Sequence, residues 1–134
     1  MKIFHGTENA SIQRPCVVTL GVFDGLHLGH QEIMRTVVDR ARMTGAVPTA
    51  MTFDPHPRAV LYPESAPPLL QTLDQRLANL EVLGIEQTIV VPFDRDFASQ
   101  PAELFLKDIV HDRLHAKEVY LGHGFEFGRD RGGN

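Results

Sequence analysis

The chain has little cysteine, no excess of basic residues and no long apolar run. Cys16 is the single cysteine in 134 residues, which excludes an internal disulfide and a metal cluster built on thiolates. It lies in the apolar run CVVTL, where a buried and inert thiol is expected. The start, MKIFHGTENA, lacks the apolar stretch of a signal peptide, and no segment is long enough to span a bilayer. We therefore expect a cytoplasmic protein without a membrane partner.

The charge balance limits the class of ligand. Lys and Arg number 13 against 17 Asp and Glu, which gives a formal net charge of −4. Binding of duplex nucleic acid draws on many cationic side chains in one patch, so this composition argues against nucleic acid as the main partner. A small anionic ligand needs only a local positive potential and stays compatible. The length predicts one domain that needs no disulfide or metal to hold its core.

Apolar runs alternate with helical patterns along the chain. The first helix carries one apolar stripe, and Thr72 with Gln75 forms a capping box at the start of the second. Pro48 has no amide proton, so it should lie at a strand start or at an unpaired edge. A proline-rich loop with one helical turn is expected over 54–68. Strands are predicted over 16–21, 46–53, 87–93 and 117–122, and helices over 30–42, 72–84 and 99–114.

This alternation is typical of an α/β fold, here a Rossmann-like, doubly wound parallel sheet with helices on both faces. Ligands bind such sheets beyond the carboxyl ends of the strands, where the strand order reverses. If the strands follow the order 87–93, 46–53, 16–21, 117–122, the segments after the last two lie side by side. Both segments are glycine-rich, GVFDGLHLGH and GHGFEFGRDRGG. We expect them to face one crevice.

The segment GVFDGLHLGH has the composition of a phosphate site. Gly21 ends the strand, Gly25 permits a turn with positive φ, and Gly29 permits close approach of a ligand. The helix that follows offers unpaired amide protons at its first turn. His27 and His30 are three residues apart, so both can donate hydrogen bonds to phosphate oxygens from one side. Such donors stabilise the charge on a pentacovalent phosphorus more than they stabilise the ground state.

Other interpretations of this segment fit less well. Two histidines do not make a closed metal site, and no H-E-x-x-H pattern follows. The glycine spacing is not G-x-G-x-x-G, and no Gly-Lys-Ser/Thr of a P-loop follows. Two histidines that only cap a helix are the structural alternative. The three glycines, the position after a strand and the second glycine-rich segment favour the phosphate site.

HLGH matches the H-x-G-H signature of nucleotidyltransferases, which transfer nucleotidyl groups from nucleoside triphosphates and release pyrophosphate. GVFDGLHLGHQEI, MTFDPHP and FEFGRDRGG occur in that order and together resemble the N-terminal module of bacterial bifunctional riboflavin kinase/FMN adenylyltransferases, the FAD synthetases. The resemblance covers nearly the whole of 1–134. It implies adenylyl transfer from ATP to FMN with the assistance of Mg²⁺, giving FAD and pyrophosphate.

The resemblance also implies roles for single residues. His27 and His30 would be catalytic, holding the ATP phosphates and stabilising the transition state. The sequence identifies neither the residues that would bind the metal nor the oligomeric state. The implied ATP-binding residues are Gly21, Val22, Phe23, Asp24, Gly25, His27, Gly29 and His30. The implied flavin-binding residues are Phe53, Asp54, His56, Pro57, Gly122, Phe125, Phe127, Gly128 and Arg131.

The residue types leave structural alternatives open for the flavin set. An aromatic ring near a strand end, such as that of Phe53, is often part of the core. Asp54 can serve as a loop cap, and His56 as a solvated loop residue. Arg129 and Arg131 can contact phosphate, or they can be solvated charges.

Two departures from the family pattern bear on activity. Gly124 stands where the family usually has Asn or Asp before F-x-F-G. The family's module continues beyond the length of this chain into a Ser/Thr-rich motif ending in Arg and a riboflavin kinase domain. We therefore expect an incomplete nucleotidyltransferase domain over 1–134, truncated at the C-terminus, with weak or no FAD synthesis of its own. The alternatives are a non-catalytic flavin- or nucleotide-binding remnant and a cytidylyltransferase for a small alcohol phosphate.

Overall fold

The computed structural model of the chain describes residues 1–6, 15–23, 28–55, 57–64, 71–105, 107 and 114–121. The strands are β1 (Lys2–His5), β2 (Cys16–Leu20), β3 (Val47–Asp54), β4 (Gln87–Pro92) and β5 (Ala116–Leu121). The helices are α1 (Leu28–Thr44), α2 (Pro57–Leu61), α3 (Leu73–Val82), α4 (Arg95–Ala98) and α5 (Ala102–Phe105).

The strands form one parallel sheet in the order β1-β4-β3-β2-β5. The order of the four predicted strands is therefore confirmed. The chain runs outward from β2 through β3 to β4 and then crosses back to place β5 on the other side of β2. The strand order consequently reverses between β2 and β5, which are direct neighbours.

Helices cover both faces of the sheet, as predicted. On one face, called the α1/α3 face below, Val17 and Ala50 pack against Met34 of α1 and Leu77 and Leu80 of α3. The apolar stripe expected on α1 is buried here. On the opposite face the core is formed by Cys16, Val18, Leu20, Met51, Phe53, Ile89, Val91, Phe93, Phe105 and Leu114, with Val60 of α2 and Phe97 of α4 packed against it.

Local sequence signals explain where several elements begin and end. Thr72 and Gln75 form the predicted capping box, with Gln75 N donating to Thr72 Oγ1 at 3.1 Å and Thr72 N donating to Gln75 Oε1 at 2.9 Å. Gly84 follows α3 with a φ of +103°, a conformation that glycine adopts without steric penalty. Pro48 is the second residue of β3, and the ladder to β4 begins only at Thr49. Proline therefore lies at the strand start, as expected.

The strand β1 was not predicted from the sequence. It has four residues, pairs with β4 alone and leaves Ile3 exposed. Four residues are too few to show a hydrophobic periodicity. The strand forms because it pairs with β4, which lies far along the chain. The predicted helix over 99–114 begins later than expected, because residues 99–101 form the connection between α4 and α5, and α5 starts at Ala102. Beyond α5, the structure describes only Lys107 and Leu114 of the predicted range.

None of the described helices combines the length and the apolar character that crossing a bilayer requires.

A charged cluster joins α1 to β5. The Arg40 guanidinium donates to Glu118 from Nε at 3.0 Å and from Nη2 at 2.7 Å. The Tyr120 hydroxyl donates to the same carboxylate. Hydrogen bonds from Arg40 and Tyr120 lower the pKa of Glu118 from 4.5 to about 2. The cluster fixes the edge strand β5 against the helix that begins beside the end of β2.

Stability should depend on this cluster in acid. Because the pKa of Glu118 is lowered in the folded state, its contribution is complete above the unfolded value of 4.5 and is lost as the pH falls from 4.5 to about 2. Glu118→Gln should lower the urea midpoint at pH 7 and weaken the decline of the midpoint below pH 4.5. Arg40→Met should act in the same way, and the double variant should show no additional change. Equal acid dependence in wild type and Glu118→Gln would contradict this prediction.

The single cysteine is buried, as expected. Cys16 is 0% exposed, its Sγ lies 3.5 Å from the carbonyl oxygen of Leu114, and burial raises the pKa of its thiol to about 11. The nucleophilic thiolate is therefore scarce at neutral pH.

We expect Cys16 in the native chain to resist a disulfide reagent at pH 8 and to react fully in denaturant. The absorbance of the released thiol measures both reactions. Complete labelling at pH 8 with an unchanged circular dichroism spectrum would contradict the assignment.

Candidate functional site

The candidate site lies at the carboxyl edge of the sheet. Leu20 of β2 pairs with Met51 of β3 on one side and with Leu121 of β5 on the other. Because the strands are parallel, the segments that follow β2, β3 and β5 all leave the sheet at this edge. The two strands that precede the glycine-rich segments, β2 and β5, are thus neighbours, as predicted. Most residues of those segments lie outside the described part of the chain.

The first residues after β2 are held by close packing. The Gly21 amide donates to the Met51 carbonyl at 3.1 Å. The Phe23 ring lies directly over Gly21, so that a Cβ at position 21 would come within 2.8 Å of the ring. Phe23 has a φ of +59°, which is uncommon for a residue with a side chain, and its ring is 1% exposed. Core packing on the α1/α3 face therefore holds a strained turn at the start of the glycine-rich segment.

A buried arginine joins this turn to the end of β3. Arg76 of α3 is 1% exposed, and its Nη1 donates to the Val22 carbonyl at 2.9 Å. The same nitrogen lies 3.4 Å from Thr52 Oγ1 and 3.4 Å from the Phe53 carbonyl. Thr52 Oγ1 in turn donates to the Val22 carbonyl at 2.9 Å. The turn after β2 and the end of β3 are therefore linked through one guanidinium and one hydroxyl.

The position of Asp54 completes this arrangement. Its Oδ1 lies 3.6 Å from Arg76 Nη2, beyond hydrogen-bond distance, and its side chain is 45% exposed. The carboxylate therefore faces solvent at the edge of the sheet. Its backbone is held from the other side, because the Phe93 amide donates to the Asp54 carbonyl at 3.1 Å.

Two buried polar atoms have no hydrogen-bond partner within the described ranges, Thr19 Oγ1 and Arg76 Nε. The flanking residues of Thr19 in β2, Val18 and Leu20, point to the opposite face, so Thr19 faces α1 and α3. Buried polar groups without partners are rare and are concentrated at strained or functional places.

The structure brings together some of the sequence-predicted residues. Gly21, Val22 and Phe23 lie together after β2, and Asp54 lies across from them as the last residue of β3. Phe53 is 0% exposed and packs against Phe93 and Phe97, with ring centroids 6.1 and 5.9 Å away. Its ring thus lies in the core on the face opposite α1 and α3. This is the structural alternative given above for an aromatic ring near a strand end.

The side chains of the remaining predicted residues lie outside the described part of the chain. Gly29 and His30 belong to the first turn of α1, and Pro57 is the first residue of α2, but their side chains lie outside the described part. The roles assigned to these residues stay predictions. Wholly outside the described residues are Asp24, Gly25, His27, His56, Gly122, Gly124, Phe125, Phe127, Gly128, Arg129 and Arg131.

Arg76 was missed by the motif analysis. The signal was present, since Leu73, Arg76, Leu77 and Leu80 follow the spacing of a buried helical stripe. An arginine within such a stripe indicates a buried charge with dedicated acceptors. Within the described ranges, no group of His, Cys, Asp and Glu side chains is arranged to hold a metal ion.

A family model described as FAD synthetase matches residues 9–134. The chain belongs to the FAD synthetase family of nucleotidyltransferases. This confirms the resemblance first seen in HLGH, MTFDPHP and FEFGRDRGG.

Relatives in this family match the full chain. It is 34% identical over 135 residues to the bifunctional riboflavin kinase/FMN adenylyltransferase of Haemophilus influenzae, covering 100% of this chain and 44% of that protein. It is 33% identical over 136 residues to the Escherichia coli K12 protein of the same name, covering 100% and 44%. A putative bifunctional protein of Geobacillus thermodenitrificans is 36% identical over 134 residues, covering 100% and 72%. The chain thus spans less than half the length of the first two.

A solved structure shares the fold. The crystal structure described as a macrolide-efflux protein from Streptococcus pneumoniae superimposes with a TM-score of 0.79 at 28% sequence identity. The match covers 95% of this chain and 43% of that one.

The close contact between position 21 and Phe23 can be tested by substitution. Gly21→Ala places a methyl group 2.8 Å from the Phe23 ring, so the ring must move, which should lower the free energy of unfolding by about 1–3 kcal/mol. Urea denaturation measures the loss. Gly21→Ala combined with Phe23→Leu should lose less than the sum of the two single variants, because the smaller side chain relieves the contact. Strict additivity would show that the two positions do not clash.

Proposed function

We propose that this chain carries the adenylyl-transfer reaction of an FAD-forming enzyme. The FMN phosphate attacks the α-phosphorus of ATP, the bond to the bridging oxygen of the β-phosphate breaks, and FAD and pyrophosphate leave. ATP enters as its Mg²⁺ complex, which belongs to the substrate. The residues proposed for this reaction all follow the carboxyl ends of β2, β3 and β5.

One observation carries the proposal. The H-x-G-H motif spans the start of α1 directly after β2, at the place where the strand order reverses. The amino end of this 17-residue helix supplies free amide protons and a partial positive charge. A triphosphate at that edge would meet these amides together with His27 and His30. We propose that the two imidazoles donate hydrogen bonds to phosphate oxygens as charge develops in the transition state.

The segments after β3 and β5 are proposed as the flavin side. Asp54 faces solvent beside the turn after β2, which is the position that a second substrate would occupy. The segment that begins at Gly122 follows β5 in the chain, and β5 pairs with β2 on the side opposite β3. We assign residues 1–134 to one nucleotidyltransferase domain, in agreement with the family match over 9–134. A cytoplasmic setting stays a prediction of the sequence.

A second candidate is binding without turnover. Gly124 replaces a polar residue of the family pattern, and this favours a chain that holds FMN or ATP but transfers little. The family match favours flavin chemistry over cytidylyl transfer to an alcohol phosphate.

The chain should form FAD and pyrophosphate slowly when incubated with FMN and MgATP, since its departures from the family pattern predict weak synthesis. The products are separated by chromatography. His30→Ala and His27→Ala should each reduce the rate by about 10²-fold, because each removes a donor to the transition state. His115→Asn is the matched control, since His115 is exposed and lies before the amino end of β5, away from the site. Asparagine also tolerates the φ of +50° found there.

The two candidates give different results in this assay. FMN binding, seen as quenched flavin fluorescence, without any FAD would favour the binding protein. FAD formation that persists undiminished in His30→Ala would contradict the role of that imidazole. Absence of both binding and product would overturn the proposed function.

A further inference from the structure

Arg76 is an unusual occupant of its position in α3. Leu77 and Leu80 are buried beside it, and Leu73 is partly buried in the same stripe. Burial of a cation is unfavourable unless hydrogen bonds and opposite charge compensate for it. The nearest described carboxylate, that of Asp54, is half exposed and 3.6 Å away. Arg76 is therefore not buried to form a tight ion pair.

The acceptors of Arg76 show what its burial achieves. The Val22 carbonyl belongs to the turn after β2, and the Phe53 carbonyl belongs to the last residues of β3. Both carbonyls are contacted by one nitrogen, Nη1, whose two N–H bonds have fixed directions in the plane of the guanidinium, so it can hold the two chain positions at a defined spacing. The lysine ammonium is a strongly hydrated point charge with three rotating donors on a flexible stem, and it would not fix that spacing.

We propose that Arg76 is a positioning residue, which holds the Val22 and Phe53 carbonyls at a fixed spacing and so aligns the turn after β2, on the proposed ATP side, with the end of β3, on the proposed flavin side. The proposal rests on the function proposed above. Arg76 lies beneath both segments in the α1/α3 core and need not touch either substrate. It acts through the turn after β2 and the end of β3.

This role has a kinetic consequence. Each substrate would keep most of its own contacts after loss of the link, whereas the attacking phosphate and the α-phosphorus would no longer be held in line. A misplacement of the order of 1 Å can reduce a rate by about 10²-fold. Arg76→Met should therefore reduce kcat by about that factor, while the KM for FMN and for MgATP stay within about threefold of wild type.

The test compares Arg76→Met, Arg76→Lys and the control Leu80→Ala. Leu80 is fully buried one turn further along the same helix, so its truncation lowers stability while leaving the hydrogen bonds of Arg76 to the Val22 and Phe53 carbonyls in place. Hydrogen exchange of the substrate-free chain is read at residues 21–23 and 53–54, together with kcat and KM corrected for the folded fraction. Strand amides at 17–20 serve as the internal reference.

In Arg76→Met, exchange at both segments should accelerate together by about tenfold relative to the reference amides. Arg76→Lys should show the same acceleration of exchange at both segments, with a smaller decrease in the free energy of unfolding. In Leu80→Ala the two segments should keep their wild-type exchange relative to the reference, and kcat should be unchanged. Unaltered exchange, acceleration in one segment only, or an unchanged kcat in Arg76→Met would each overturn the proposal.

Failure of this inference is separate from failure of the proposed function. A wild-type chain that makes no FAD refutes the reaction assigned to the chain. The exchange data need no substrate, so they still decide whether Arg76 links the two segments. Linked segments without FAD formation would restrict Arg76 to structure and would overturn its role in transfer.

Discussion

The carbonyl oxygen of Val22 accepts two hydrogen bonds from buried side chains, one from Thr52 and one from Arg76, each at 2.9 Å. This carbonyl belongs to the first residues beyond β2, just after the bond from the Gly21 amide to the Met51 carbonyl. The two donors come from the neighbouring strand and from the helix packed on it. The course of the chain into the H-x-G-H segment therefore depends on side chains from β3 and α3.

Unfavourable features are concentrated at this point. Phe23 adopts a positive φ, Arg76 Nε is buried without a described partner, and Thr19 Oγ1 is buried in the same condition. Each of these features costs on the order of 1–3 kcal/mol. The apolar clusters on both faces of the sheet offset them, since a fully buried Leu or Phe side chain contributes about 1.5–3 kcal/mol. Unfavourable features that are concentrated at one edge of a fold are typical of a functional site.

The sequence was most informative where a pattern extends over a whole element. The parallel sheet and its covering helices followed from the alternation of strands and helices, because β2, β3 and β4 are buried along nearly their full length and the stripe of α1 is regular. The strand order itself was assumed from the doubly wound pattern, and the structure has that order. The strand β1 was not predicted, since the formation of a short edge strand depends on pairing with a strand far along the chain. The burial of Arg76 was not predicted, because the apolar pattern by which a core helix is recognised counts only apolar residues. Its acceptors are backbone carbonyls, and a sequence motif does not show where those lie.

The link at the candidate site differs in chemistry from the cluster that anchors β5. Between the turn after β2 and the end of β3 the link is buried, and its donors are a guanidinium and a hydroxyl. The cluster of Arg40, Glu118 and Tyr120 lies toward the amino end of β5, since Glu118 pairs with Val17 near the start of β2, and it is partly exposed and open to salt. Acid and ionic strength therefore act first on the anchoring of β5, away from the carboxyl edge of the sheet. The spacing between the turn after β2 and the end of β3 depends on buried groups, as a site that must align two substrates requires.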